Sequence, residues 1–374
     1  HVVNFGGSPL ITTENYCYLG TSFTRNGSLN ESGHVLHDKS IKALNGLLQR
    51  IYKFKSCDPK VMLELFDKMI LPIALYNSEI WGTMCFPVNE SNTNLLGATP
   101  QKNPIEDIQI KFCKRVLGVN DKSTNWAVTS ELGRYPTIIT VMERMIKYWH
   151  HAAHSPSPIV NAALKVSRNL DSSGKRVWFT YLRRIMESLG MNHILYTCDE
   201  LEIFSQINKT KSMLRSKAYD EWKEHLADLR VSETSKLKLY SSLKEDFGYA
   251  EYLSTISDSK AKRALCKFRI SSHNLPVEVN RYIKIERVNR LCPFCSSDTS
   301  DEQHYLCECI DPLFSTHRDA IFAYFSDKIP SFANLTPETK TTVLLGSSDP
   351  PVISKIATFC NKIVEIFKEF NTRT

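Results

Sequence analysis

From His34 to the end of the chain, apolar residues keep returning at steps of three and four, so most of this polypeptide must bury one side of a series of α-helices. The first such run carries Ile41, Leu44, Leu47, Leu48, Ile51 and Phe54, with Lys39, Lys42, Gln49 and Lys53 among its polar positions. A second starts at Asp58-Pro59, an N-cap followed by proline at the first helical position, and Pro72 kinks or ends it. Asn103-Pro104 opens a third, with Glu106 and Asp107 in its first turn and Gly118 placed to close it. Another, after Pro136, presents Ile138, Ile139, Met142, Met145, Ile146 and Trp149, and Pro156 and Pro158 mark a boundary behind it. Further helical stretches from Lys175 to Phe247 are anchored by Trp178, Tyr181, Tyr219, Trp222 and Tyr240. Thr336-Pro337 starts a helix that Gly346 can stop, and Ile353, Ile356, Phe359, Ile363 and Phe367 stripe the last one.

Only ahead of His34 does the pattern read as extended: Val2–Phe5, a Gly6-Gly7 turn, Leu10–Thr13, and a short strand around Tyr16–Phe23. The polar stretch 87–103 has the composition of a loop. The expected fold is therefore mainly α: helical bundle units, a short N-terminal β-hairpin and a small zinc-stabilised segment. At 374 residues more than one packed unit is required. The chain divides by composition into a hairpin (1–33), a helical domain (34–155), a second helical domain (156–256), a basic and cysteine-rich segment (257–312) and C-terminal helices (313–374).

The chain has 11 cysteines, and Cys17, Cys57, Cys85, Cys113, Cys198, Cys266 and Cys360 have no near partner, which is not a disulfide framework. With no secretory signal and no apolar run near the ~18–20 residues of a membrane span, the expected setting is a reducing interior, nucleus or cytoplasm, without membrane. The remaining cysteines cluster in LCPFCSSDTSDEQHYLCECI. Cys292 and Cys295 form a CxxC pair that can place two thiolates on one ion, and His304 and Cys309 complete a tetrahedral set suited to Zn²⁺. Cys307 is the rival of Cys309 for the fourth place. A structural zinc suits a short polar segment that buries little by itself.

Just upstream the positive charge concentrates. Lys262, Arg263, Lys267, Arg269, Arg281, Lys284, Arg287 and Arg290 face only Glu278 and Glu286, in a chain whose formal net charge is +7. On a helix from about Asp258, Lys260, Arg263 and Lys267 share one side while Ala261, Ala264, Leu265 and Phe268 line another, an arrangement suited to phosphate contact. Lys39, Lys42 and Lys53 form a weaker candidate. No glycine-rich phosphate loop or nucleophile elbow is present, which argues against a hydrolase or transferase.

FRISSHNLPVEVNRY (Phe268–Tyr282), followed by RLCPFC and DEQHYLCEC, resembles the C-terminal region of non-LTR (LINE-type) retrotransposon reverse transcriptases. NYCYLGTSFTRNG and LPIALYNSEIWG resemble the family's segment just after the polymerase palm, and KFCKRVLGV, VTSELGRYP and GYAEYL resemble further blocks in the same order. The resemblance implies that Tyr18-Leu19-Gly20 grips a primer end and that the next helices form a thumb. It also implies that the chain's partners are RNA, an RNA–DNA hybrid or target DNA, together with an upstream palm. Reverse transcription needs paired aspartates for two Mg²⁺ ions, and the chain has no Asp-Asp pair, so Mg²⁺ is expected only in a palm that precedes His1. This chain alone is not expected to synthesise DNA. The family's glycine before arginine is Asn280 here, and asparagine tolerates a left-handed backbone, so the turn is expected to survive. A free-standing zinc-dependent binding module, or a helical interaction scaffold, are the competing readings.

Overall fold

A computed structural model of the chain describes residues 4–9, 13–51, 53, 58–86, 103–197, 200–232 and 235–373. Val2, Leu10, Phe54, Cys57, Cys198 and the loop expected at 87–102 lie outside them. Among the described residues there are seventeen α-helices and four short strands. Asn4–Phe5 pairs with Ser8–Pro9 across Gly6-Gly7, both at positive φ. The single strand that the pattern predicts at Tyr16–Phe23 is a second hairpin, Asn15–Tyr18 against Thr21–Thr24, which turns at the Tyr18-Leu19-Gly20 of the family resemblance. Its two-residue turn places Leu19 (φ 47) and Gly20 (φ 78) in the left-handed region, the geometry that matches the strands' right-handed twist.

The helices begin where side-chain oxygens can take up free amides. Asp58 accepts from the Lys60 amide, Asn103 from Ile105 and Glu106, Asp258 from Lys260 and Thr336 from Thr339. The first helix, Asn30–Ile51, starts ahead of the expected His34, and Lys53 falls beyond its end. Pro59–Met69 stops before Pro72, which sits in the separate short helix Leu71–Ala74. Asn280, expected at a left-handed turn, lies within the helix Pro276–Tyr282. The left-handed position is Lys284 (φ 60), with Ile285 N donating to Asn280 O and Lys284 N to Arg281 O, a two-bond closure of the helix C-terminus.

The chain divides into two compact units. The first consists of His1–Ile51, Glu64–Gln109 and Tyr135–Ala218. Its central element is Ile138–Ala153, which buries Ile138, Ile139, Met142, Met145, Ile146 and Trp149 against Ser78–Trp81, Pro158–Ser172 and Trp178–Ser188. Ser32 Oγ donates to Ser22 O and accepts from Ser22 N, fastening the second hairpin to Asn30–Ile51. Buried Glu106 accepts from both the amide and the hydroxyl of Thr137 at the start of the central helix.

The second unit consists of Tyr52–Leu63, Ile110–Arg134 and Tyr219–Thr374. Ser259–Arg269 buries Ala261, Ala264, Leu265 and Phe268 and packs against the long C-terminal helix Pro350–Arg373. Gly133 (φ +64) is required where the chain passes Tyr249, because a Cβ there would lie 2.7 Å from the Tyr249 amide. No helix among the described residues is long and apolar enough to cross a membrane.

Candidate metal centre and nucleic-acid interface

Two local devices bring the expected ligands together. Leu291 and Thr299 form an isolated antiparallel bridge, and Cys292 N donates to Asp298 O, so the chain reverses tightly between them. Ser296 N donates to Cys292 O, and Ser296 takes the left-handed conformation (φ 57) that this turn demands. Cys292 and Cys295 are thereby presented from one turn. The second device is the single π-helical turn His304–Glu308, closed by Cys309 N donating to His304 O at 2.7 Å. On an α-helix, residues five apart stand about 140° from each other. The wider turn brings His304 and Cys309 onto one side, which makes sense of the H-x4-C spacing.

Ligand atoms of Cys292, Cys295, His304 and Cys309 all lie within 4.8 Å of one another. Cys292 Sγ and Cys309 Sγ are 3.9 Å apart, and Cys295 Sγ is 3.3 Å from His304 Nε2. A tetrahedral zinc has S···S edges of about 3.8 Å and S···N edges of about 3.5 Å, so the four groups can hold a metal ion and their dimensions are compatible with Zn²⁺. Cys292, His304 and Cys309 are buried and Cys295 is half-buried. His304 Nδ1 is buried without a hydrogen-bond partner, and carboxylate oxygens of Asp298 and Glu308 lie within 4.8 Å of a ring nitrogen of His304. Cys307 is not part of the cluster; its Sγ lies 3.3 Å from Thr341 Oγ1.

Burial alone raises the Cys292 thiol, but the Tyr305 hydroxyl at 3.4 Å and the amides of Cys295 and Phe294 outweigh it and hold the group below its ordinary value. Burial, with the neighbouring sulfurs, pushes Cys309 up to about 12. A cation among the sulfurs relieves that penalty. Phe294 packs on Phe314, Phe367 and Phe370, and Tyr305 on Phe314 and Phe367, joining the cysteine turn to the helices Pro312–Lys328 and Pro350–Arg373.

The upstream cations divide into two groups. Lys260 and Arg263 are exposed and Lys267 is half-buried, its ammonium pushed below its usual range by burial and then by Arg263. Arg263 lies on Gly118, where a Cβ would come within 2.5 Å of Arg263 Cδ. Arg281, Lys284 and Arg287 are exposed; Arg281 lies 3.8 Å from Glu278, and Arg287 pairs with Asp301 at 2.7 Å. Of the cations expected at phosphates, Arg269 is instead buried, and Arg290 is half-buried with its guanidinium turned to backbone carbonyls. Arg269 pairs with buried Glu131 at 2.7 Å and donates to Leu345 O, and Arg290 donates to Ile285 O and Val277 O.

His273, one of the residues carrying the family resemblance, is buried with its Nε2 2.7 Å from the Glu302 carboxylate, which accepts a hydrogen bond from Ser271. Lys39 and Lys42 are exposed in the first unit, and Lys53 belongs to the second. Tyr18 and Leu19 are exposed, and Tyr76 OH donates to Leu19 O beside Gly20, where a Cβ would clash with the Tyr76 ring. Sequence reasoning named Glu131 only as part of the VTSELGRYP block, without its partner, and did not single out Tyr305, Phe294 or Lys122; only the HYLC tyrosine between two ligands offered a local signal. No protein-family model, curated protein or solved structure matches the chain.

Proposed function

We propose that this chain is the nucleic-acid-binding C-terminal part of a non-LTR retrotransposon reverse transcriptase, that Cys292, Cys295, His304 and Cys309 hold a structural Zn²⁺, and that polymerisation belongs to a palm upstream. The observation that carries this reading is the convergence of four soft or borderline ligands in the same unit that displays Lys260, Arg263, Lys267, Arg281, Lys284 and Arg287 outside its core. The zinc fixes a turn-rich segment that buries few apolar groups, and the cations around it neutralise phosphates without reading bases. In the first unit, exposed Tyr16, Tyr18 and Leu19 on the hairpin offer an apolar edge suited to the primer end and the palm.

The test is binding of single-stranded RNA and of an RNA–DNA hybrid across a salt series. Affinity is expected to fall steeply with salt, and replacing Lys260, Arg263 and Lys267 together with alanine is expected to lower the log–log slope by about two to three. Metal analysis is expected to find one zinc per chain, lost in Cys295→Ser. A wild-type protein that binds neither nucleic acid at low salt leaves the scaffold reading standing and this one overturned.

A further inference from the structure

Tyr282 is the last residue of the helix Pro276–Tyr282, and its side chain is left in water at 52% exposure. Two cations attend the ring. Lys122 Nζ lies 4.7 Å from its centroid and the Arg281 guanidinium 5.9 Å. Lys122 comes from the loop ahead of Asn125–Glu131, which is fastened next to this helix by the Ser123 Oγ–Ser272 Oγ hydrogen bond at 2.5 Å. Its ammonium has no carboxylate within ion-pair distance among the described residues. Ile283, next in the chain, and Val288 are also exposed, and Lys284, two residues after Tyr282, is held at φ 60.

An exposed aromatic ring bordered by cations has the composition of a site for one nucleotide of an unpaired strand. A base can stack on the ring's open surface while its phosphates meet the ammonium and guanidinium groups. A duplex keeps its base faces inside the stack and can use only the cations. We propose that Tyr282, with Lys122 and Arg281, forms a base-stacking subsite that makes this surface prefer an unpaired strand over a duplex. This rests on the reading that the second unit binds nucleic acid. The competing role is structural: the Lys122–Tyr282 contact merely holds the loop against the helix, in which case removing the ring affects every ligand alike.

The experiment uses the full chain with a single-stranded RNA oligonucleotide and its duplex at fixed salt, comparing wild type with Tyr282→Ala, Tyr282→Phe, Tyr282→Trp and Lys122→Gln. Tyr282→Ala is expected to weaken single-strand binding by about 5- to 100-fold, leaving the duplex and the salt slope nearly unchanged, whereas Phe and Trp retain the affinity. Lys122→Gln is expected to weaken both ligands and lower the slope by about one. If Tyr282→Ala does not fold, photo-crosslinking of wild-type protein to a 5-bromouridine single strand replaces it, and the adduct is expected on the peptide containing Tyr282. Equal losses on both ligands, no loss on either, or an adduct elsewhere overturns the subsite while the broader binding function stands. A wild type that binds neither ligand overturns both.

Discussion

Cys307 and Cys309 are separated by one glutamate, yet only Cys309 reaches the metal cluster. The i→i+5 turn carries Cys309 back over His304 and leaves Cys307 against Thr341, where burial pushes its thiol up to about 11. Cys309→Ser should therefore cost the protein its metal while Cys307→Ser keeps it, measured as zinc per chain after gel filtration; equal retention in both contradicts the assignment. The ligand set was legible because all four residues sit within eighteen positions and their spacing reflects local turns. Arg269 was not, since its partner Glu131 is 138 positions away and nothing near either residue announces the pair. Burial raises the Glu131 carboxyl, but Arg269 and then Lys244 outweigh it and hold the folded group below its ordinary value. A depressed folded pKa means that the stabilisation is fully present above the unfolded carboxyl's range and is lost as pH falls below that range and through the lower folded value. Glu131→Gln is predicted to destabilise the second unit by about 3–5 kcal/mol at neutral pH, because it strands a buried guanidinium, and to flatten the acid side of its stability profile. Denaturant titrations at several pH values measure both effects, and an unchanged acid limb would exclude the pair as a contributor.

Helix starts were readable because capping is local: Asp58, Asn103, Asp258 and Thr336 each carry the expected side-chain hydrogen bond. Ends were less so. Gly118 closes Pro104–Leu117 as expected, with Val119 N donating to Lys114 O, whereas the left-handed position after Pro276–Tyr282 falls on Lys284, which no propensity marks. The π-turn at His304–Glu308 has no sequence signature apart from the ligands it serves. Gly118 has a second duty, since it lets the Arg263 stem lie on the helix terminus. Gly118→Ala is expected to cost about 1–2 kcal/mol for the left-handed backbone alone and to displace Arg263, so nucleic-acid affinity should fall along with stability. Arg263→Ala should lower affinity with little change in stability. Melting curves paired with binding isotherms distinguish the two, and Gly118→Ala with wild-type affinity would remove Arg263 from the proposed interface. Lys284→Gly offers the converse: relief of left-handed strain worth about 1 kcal/mol, together with loss of one cation and a salt slope lower by about one.

The mainly helical architecture followed from periodicity, but the grouping of the chain did not, because each compact unit is assembled from three separate stretches and a linear scan divides a sequence only into consecutive pieces. That grouping decides how far loss of the metal should propagate. Within the second unit Phe294 lies between the two cysteine ligands of the turn and packs on Phe314, Phe367 and Phe370, so the metal turn and the C-terminal helices share one aromatic cluster. Ser259–Arg269 in turn packs on Pro350–Arg373. Binding free energy at such a site is folding free energy, so a chelator that strips a tightly held ion removes several kcal/mol from the structure that depends on it. Peptide-resolved hydrogen exchange in excess chelator should then show lost protection at 290–310, in Pro312–Lys328 and along Pro350–Arg373, with partial loosening of Ser259–Arg269. Ile138–Ala153, buried in the first unit among groups that share nothing with the ligands, should keep its protection. Loss confined to the cysteine turn would mean that the aromatic cluster is held by its own packing, and a metal bound by the four ligands would then stabilise a surface loop instead of the C-terminal helices.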